Sequence, residues 1–212
     1  MIAPEGWVFV WVPVGLGAGS LWLGWPWLGW PLIAIGLFSL FFFRDPRRSC
    51  DQPANVACSP ADGRVILVGD APADLVARGL PRQISVFMSV FDVHVNRAPV
   101  DGTLVEYHYN PGRKISAFKD KASSVNEQNL STWEGPAGRI ALKQIAGLVA
   151  RRIVFDHDLE DTVRRGDRIG LIRYGSRVDV FLPDSAEILV EKGDRVQAGR
   201  SPLAVLTAVD AS

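Results

Sequence analysis

The chain has 212 residues, 48% of them hydrophobic, and its 23 basic residues are matched by 23 acidic ones. This length suits one domain, or one domain with a membrane anchor, and the balanced charge argues against a nucleic-acid partner, which usually selects a basic surplus. The apolar content excludes intrinsic disorder, and two cysteines are too few for a disulfide scaffold or a finger-type zinc site.

The first 43 residues are the most apolar part of the chain. No charged residue occurs between Glu5 and Arg44, and six of the seven tryptophans lie in this stretch. A segment rich in Gly, Pro and Trp divides it into two runs, 7–23 and 31–43, each close to the roughly 20 residues that a membrane-spanning helix needs. The sequence therefore predicts a membrane-anchoring helical hairpin over residues 1–43, which either crosses the bilayer or enters one leaflet only.

Arg44, Arg47 and Arg48 follow the second apolar run directly. Because cytoplasmic flanks of membrane segments are enriched in Lys and Arg, they indicate a cell-membrane protein whose following domain faces the cytoplasm. They are also candidates for contact with anionic membrane lipids. Since the cytoplasm is reducing, we expect Cys50 and Cys58 to be free thiols.

Residues 44–212 are predicted to form a mainly β domain, a compact β-sandwich or barrel-like fold. Short β-branched or aromatic runs bounded by turn residues predict strands, and one short helix is predicted at 72–78. The polar segment 114–129 reads as a long loop, a feature that is often functional. The predicted strands cover residues 64–68, 83–88, 103–107, 139–142 and 178–182.

A weak internal repeat joins residues 165–169 (RGDRI) and 192–196 (KGDRV). Similar turns occur in lipoyl and biotinyl carrier domains, so a membrane-tethered lipoyl-like binding or adaptor module is one alternative function. Lys192, however, lacks the methionine neighbours of a carrier lysine, and we interpret the repeat as shared hairpin-turn geometry.

Four motifs carry a resemblance to a known family. In order and spacing they resemble the phosphatidylserine decarboxylase proenzymes, in particular their short bacterial and archaeal-type branch, over nearly the whole chain. The motifs are FRDP at 43–46, SPADG at 59–63, FDVHVNRAP at 91–99 and GLIRYGSRVDVFLP at 170–183.

The resemblance implies autocatalytic cleavage between Gly175 and Ser176. The products are a large β subunit, 1–175, and a small α subunit, 176–212, which stay together as a heterodimer. Ser176 becomes a covalent pyruvoyl group, the only cofactor implied. It forms a Schiff base with phosphatidylserine, which loses CO2 to give phosphatidylethanolamine.

The residues support this chemistry independently of the family. Decarboxylation of an amino acid needs an electron sink, and neither a pyridoxal-phosphate lysine nor a metal-ligand cluster is apparent. A ketone made from the chain would serve. Ser176 Oγ can attack the carbonyl carbon of Gly175, where the missing side chain leaves access and backbone freedom, but a serine needs a base to activate it.

The base has three candidates, because the chain has three histidines, His94, His108 and His157. His94 lies in a family-matching motif, and we assign it to activate Ser176 and later to protonate the substrate carbon. Asp62 matches the family aspartate and is expected to orient His94, with Asp92 as the alternative orienting acid.

Two questions stay open at this stage. Lys114, Lys119, Lys121 and Arg97 are candidates for the lipid phosphate, without preference for one. Besides the adaptor, the alternatives are a pyruvoyl decarboxylase of another, soluble amino acid and a serine hydrolase. The anchor disfavours the first, and the missing glycine pattern of a nucleophile elbow disfavours the second.

Overall fold

The computed structural model describes residues 1–112, 126–147, 152–173 and 175–207. Within the chain, backbone contacts separate two compact units, Met1–Arg47 and Arg48–Ser212. The first is helical, and the regular secondary structure described in the second consists of antiparallel strands and one short helix, so the expected mainly β fold with an N-terminal helix pair is confirmed.

The helical unit is a hairpin. A 3-10 turn, Pro4–Gly6, leads into α1 (Trp7–Trp22), and a short turn connects it with α2 (Pro26–Phe42). The helices pack closely through glycines: a Cβ atom on Gly17 would lie 2.8 Å from the carbonyl oxygen of Gly29. Small residues allow such close approach of apolar helices. None of the helices within the described residues has the combined length and apolarity that crossing a bilayer requires.

The second unit contains one large sheet and two small ones. The strands are β1 Val56–Cys58, β2 Gly63–Asp70, β3 Arg82–Met88, β4 Val95–Arg97, β5 Gly102–Asn110, β6 Gln128–Gly135, β7 Gly138–Ala146, β8 Ile153–Phe155, β9 Thr162–Val163, β10 Arg168–Ile172, β11 Ser176–Leu182, β12 Glu187–Ile188, β13 Arg195–Val196 and β14 Pro202–Val205. The large sheet has eight strands in the order β13-β2-β3-β11-β7-β6-β5-β9, and the small sheets have the orders β1-β14-β12 and β4-β10-β8. Of the expected sandwich or barrel-like arrangement, a closed barrel is not formed by the described strands.

Strand β11 lies in the middle of the large sheet, between β3 and β7. Side chains alternate across a strand, and Val178, Val180 and Leu182 contribute to the main hydrophobic core. Phe181, on the other face, joins a smaller apolar cluster with Leu75 of the short helix α3 (Ala73–Val76). Burial on both faces explains why residues 178–182 of β11 are apolar apart from Asp179.

All five sequence-predicted strands lie within observed strands, and the helix predicted at 72–78 is observed over its central residues as α3. The loop predicted at 114–129 is wrong at its end, because Gln128 and Asn129 belong to β6, where they pair with β7. Their polar side chains concealed a strand that pairs with β5 and β7. Residues 113–125 lie outside the described residues.

The two repeated turns share their geometry. Gly166 and Gly193 both have positive φ, 89° and 110°. In each turn an aspartate carboxylate, Asp167 or Asp194, accepts a hydrogen bond of 2.8 Å from the backbone N–H three residues earlier. This arrangement is a turn stabilised by its own side chain, which confirms the interpretation as shared turn geometry.

The expectation of free thiols is wrong for this structure. Cys50 and Cys58 form a disulfide between the segment that precedes β1 and β1 itself. Their Cα atoms are 6.6 Å apart, within the range that a bridge requires. The expectation rested on the reducing cytoplasm, whereas the disulfide follows from the fold, which brings together two cysteines that are eight residues apart in the sequence.

Candidate active site

Ser176, which directly follows the peptide bond predicted to be cut, is the first residue of the central strand β11. It stands opposite Met88 at the end of β3 and opposite Ala146 at the end of β7. The side chain is completely buried, and none of the described residues hydrogen-bonds with its hydroxyl oxygen. A buried, unpartnered hydroxyl is uncommon in folded proteins and calls for an explanation; here it is available for chemistry.

Gly175 precedes this serine in an unusual backbone conformation. Its φ is +37°, on the left-handed side that L side chains rarely adopt, and a Cβ atom placed there would meet no atom within 4 Å. Glycine is therefore required here by its backbone and not by lack of space. The expectation was that glycine tolerates unusual backbone angles at this position and leaves its carbonyl open to attack; the φ value is of that unusual kind, and access to the carbonyl stays a prediction.

His94 is fully buried just before β4. Its Nδ1 lies 3.0 Å from the backbone carbonyl oxygen of Asp92. A carbonyl only accepts hydrogen bonds, so in the neutral ring Nδ1 carries the proton and Nε2 carries the lone pair. The backbone carbonyl of His94 accepts a hydrogen bond of 3.3 Å from Ile172, in the strand that leads to Gly175. The structure thus fixes the tautomer that a general base needs.

Three buried amides connect the His94 segment with the strands beside Ser176. Asn129 donates to Gln144 at 3.0 Å, Gln144 donates to Asn96 at 2.8 Å, and Asn96 donates to Met88 Sδ at 3.6 Å. We call Asn129, Gln144 and Asn96 the amide relay. The amide relay ends on Met88, the strand partner of Ser176. Asn96 is two positions after His94, and side chains two positions apart lie on the same face of an extended chain.

Asp62 is held by other groups. Its two carboxylate oxygens accept a bidentate pair of hydrogen bonds from Arg48, and Oδ1 also accepts one of 2.8 Å from the backbone N–H of Ala198. The Asp92 carboxylate accepts from Ser89 N–H and Oγ at 2.8 and 2.6 Å. The described contact of the His94 ring is thus with the backbone of Asp92, and an orienting role of the Asp62 side chain stays a prediction.

Asp62 and Asp92, the two alternative orienting acids, line the same pocket. It has a volume of about 340 Å³, and Arg195 brings a positive charge to its wall. The other lining residues are Gly63, Val196, Gln197 and Ser201.

Comparison with known proteins identifies the family. The family model for phosphatidylserine decarboxylase matches residues 35–204. The phosphatidylserine decarboxylase proenzyme of Magnetococcus marinus is 42% identical, covering 94% of this chain and 92% of its own length. Those of Paramagnetospirillum magneticum and Ruegeria pomeroyi are 47% and 45% identical, covering 97% and 96% of this chain and 87% and 94% of their own lengths. The chain belongs to the phosphatidylserine decarboxylase family.

Several arginines have roles in this family member that the sequence did not indicate. Arg48 was a candidate for contact with lipid head groups, but its side chain is buried and forms an ion pair with Asp62. The sequence did not indicate this pair, because Asp62 lies 14 residues further along the chain. Arg97, a candidate phosphate ligand, is also buried and donates to the carbonyl of Gly166 at 2.9 Å. The other phosphate candidates, Lys114, Lys119 and Lys121, lie outside the described residues.

The backbone of Gly175 generates the first test. Gly175→Ala should fold, because the added methyl group meets open space, but it should cut about 5- to 30-fold more slowly, since the left-handed conformation costs other residues about 1–2 kcal/mol. Gly175→Asn is the matched control, because asparagine adopts positive φ more readily, and it should cut faster than the alanine variant. The rate of chain cleavage by intact mass spectrometry measures both; equal rates for alanine and glycine would contradict this account.

Proposed function

We propose that this protein is a proenzyme that cuts itself between Gly175 and Ser176 and then decarboxylates phosphatidylserine to phosphatidylethanolamine and CO2. The observation that carries the proposal is a buried, unpartnered serine hydroxyl directly after a glycine of positive φ, in a chain whose relatives are phosphatidylserine decarboxylase proenzymes. The pyruvoyl group made from Ser176 is the proposed cofactor.

Cleavage begins when Ser176 Oγ attacks the carbonyl carbon of Gly175. The C–N bond between the residues breaks as the C–O bond forms, so the amide becomes an ester. Removal of the Cα proton of residue 176 then expels the Gly175 carboxylate, which keeps the serine oxygen, and leaves dehydroalanine. Tautomerisation and hydrolysis release ammonia and leave a ketone at the new chain end. The buried position of Ser176 supports this course, because water competes poorly there for the ester.

His94 is the proposed base. With Nδ1 donating to the Asp92 carbonyl, Nε2 is the nitrogen that can take the serine proton. The amide relay supports the assignment, because it ties the His94 segment to Met88, the strand partner of Ser176. Asp62 is the proposed orienting acid and Asp92 is the alternative, and the contact of Nδ1 with the Asp92 backbone carbonyl supports the alternative.

In the second reaction the chain binds and orients the lipid head group and transfers one proton to the substrate. The pyruvoyl carbonyl supplies the site that takes up the substrate amine and accepts the electron pair released when CO2 leaves. His94 is assigned to return a proton to the substrate carbon, because the ordinary pKa of imidazole is close to neutrality. The same histidine thus serves as base before the cut and as acid after it.

The two products are proposed to remain one molecule. Strand β11 of the small chain pairs on both sides with strands of the large chain, β3 and β7. Strand β14 likewise pairs with β1, and β13 pairs with β2. These ladders support a heterodimer held by backbone hydrogen bonds and by the shared core.

The helical hairpin is proposed to attach the enzyme to the cell membrane, with the β unit on the cytoplasmic side. Its outer surface supports this, since all six of its tryptophans are exposed, from 43% for Trp7 to 87% for Trp22. Indole rings favour the membrane interface, and so large an exposed apolar surface is unusual for a protein that meets only water. The substrate head group lies at that same interface.

Replacement of the proposed nucleophile tests the cleavage. Ser176→Ala should remain one chain near 23.2 kDa, whereas the parent protein should give two chains, the smaller carrying a hydrazine-reactive carbonyl. Ser185→Ala, at an exposed position, is the control and should be cut normally. An uncut parent protein would favour the adaptor alternative, and CO2 release from a soluble amino acid but not from phosphatidylserine would favour the other decarboxylase.

Replacement of the proposed base is a separate test. His94→Ala should slow cleavage by about 10²- to 10⁴-fold, the usual contribution of a general base. His108→Ala is the matched control, because His108 is a largely exposed histidine of β5, and it should be cut at the parent rate. Time courses of the two variants by mass spectrometry provide the comparison, and normal processing of His94→Ala would assign the base elsewhere.

Membrane attachment can be measured by tryptophan fluorescence. In vesicles that contain brominated phosphatidylcholine the bromine atoms should quench most of the emission, because six exposed tryptophans lie on the hairpin and Trp133 is buried in the β unit. Trp133→Phe should increase the quenched fraction. Emission equal to that in unbrominated vesicles would contradict insertion of the hairpin.

A further inference from the structure

An ion pair is buried on the face of β11 that lies opposite the Ser176 side chain. Arg177 and Asp179 are 2% and 0% exposed, and Arg177 Nε donates to Asp179 Oδ1 at 2.5 Å. Because residues alternate across a strand, both side chains point away from the face that carries Ser176 and Val178. The proposed reaction gives this pair no chemical role.

The pair also reaches across the sheet to β3. Arg177 donates to Ser85 Oγ at 2.9 Å, and Ser85 stands directly opposite Asp179 in the ladder. Burial raises the pKa of the Asp179 carboxyl above its ordinary value, while the charge of Arg177 and a hydrogen bond from Ser85 act in the other direction. The three side chains form one buried polar cluster; Gln83 also donates to Ser85 Oγ at 3.0 Å, and Lys143 of β7 stands opposite Asp179.

Stability alone is a weak reason for such a cluster. Removing two charges from water is costly, and apolar residues of similar size often replace a buried ion pair without loss of stability. Its position along the chain distinguishes this pair, because Arg177 is the second residue after the proposed cut. Once the bond to Gly175 is broken, β11 begins at a chain end, and chain ends tend to fray.

We propose that Ser85, Arg177 and Asp179 form a chain-end clamp, which holds the start of the small chain in the sheet after cleavage. Ser85 belongs to the large chain, and Arg177 and Asp179 belong to the small one, so the clamp joins the two products next to residue 176. Its members are positioning residues, because they keep the reactive end in place and touch neither substrate nor the reacting atoms. This inference rests on the proposed self-cleavage.

The double variant Arg177→Met with Asp179→Leu tests the clamp, because it removes both charges and leaves neither one buried alone. It is made in the self-cleaving protein and in the uncut Ser176→Ala protein. Hydrogen exchange of the amides of residues 177–182 and the decarboxylation rate are measured. Arg139→Met is the control, because it removes an exposed ion pair with Glu134 and should change neither quantity.

In the cut protein we expect the hydrogen-exchange rate of amides 177–182 to rise by about tenfold or more. We expect kcat for decarboxylation to fall by about the same factor, with KM for phosphatidylserine little changed. In the uncut protein we expect exchange close to that of Ser176→Ala alone. Equal acceleration in both forms, unchanged exchange in the cut form, or loss of cleavage in the double variant would each overturn the clamp.

Ser85→Ala provides a second, milder test, because it removes the hydroxyl that Arg177 and Gln83 contact on β3 and leaves the Arg177–Asp179 pair in place. It should accelerate exchange of these amides in the cut protein but not in the uncut one, and equal effects would again refute the clamp. A parent protein that fails to cut itself would instead refute the proposed function, so the two failures are distinguishable.

Discussion

The site depends on where one peptide bond lies relative to the large sheet. Residue 176 is fixed between two neighbouring strands, whereas residue 175 is outside the sheet and has a φ that ordinary residues avoid. The backbone that carries the serine side chain is consequently fixed by strand pairing. The carbonyl group of Gly175 belongs to a residue that forms no strand pair. A nucleophile in the same chain as its target needs this combination, because attack requires a specific approach to the carbonyl carbon.

The amide relay solves a second problem, which is to place a strand of one sheet against another sheet. Apolar packing between sheets tolerates small shifts, since its energy depends mainly on area. Hydrogen bonds between Gln144 and Asn96, and between Asn129 and Gln144, have defined partners and distances. An offset of β4 would leave buried amides unpaired, which is costly. The relay therefore determines the position of the His94 segment more strictly than the surrounding core can.

Local features of the chain were predictable from sequence, and long-range pairings were not. Alternating or continuous apolar runs predicted five strands, and the glycine before Ser176 predicted an unusual backbone. By contrast, the partner of Asp62 is Arg48, which the sequence suggested only as a candidate for contact with membrane lipids, and the two cysteines pair through a fold that composition does not reveal. Asn96 and Gln144 are 48 positions apart, and the sequence around neither residue indicates the other as its partner. Each of these contacts depends on which strands become neighbours.

The location of the proposed cut also explains how the fold can survive it. Strand β10, which ends at Ile172, belongs to a small sheet, and β11, which starts at Ser176, belongs to the large one. The cut bond lies in the connection between sheets, at the first residue of β11, so we expect the pairs that β11 makes with β3 and β7 beyond Ser176 to remain. What cleavage does change is the freedom of the first residues of β11, and a polar cluster anchored on β3 is suited to limiting that freedom because its bonds are directional and shielded from water.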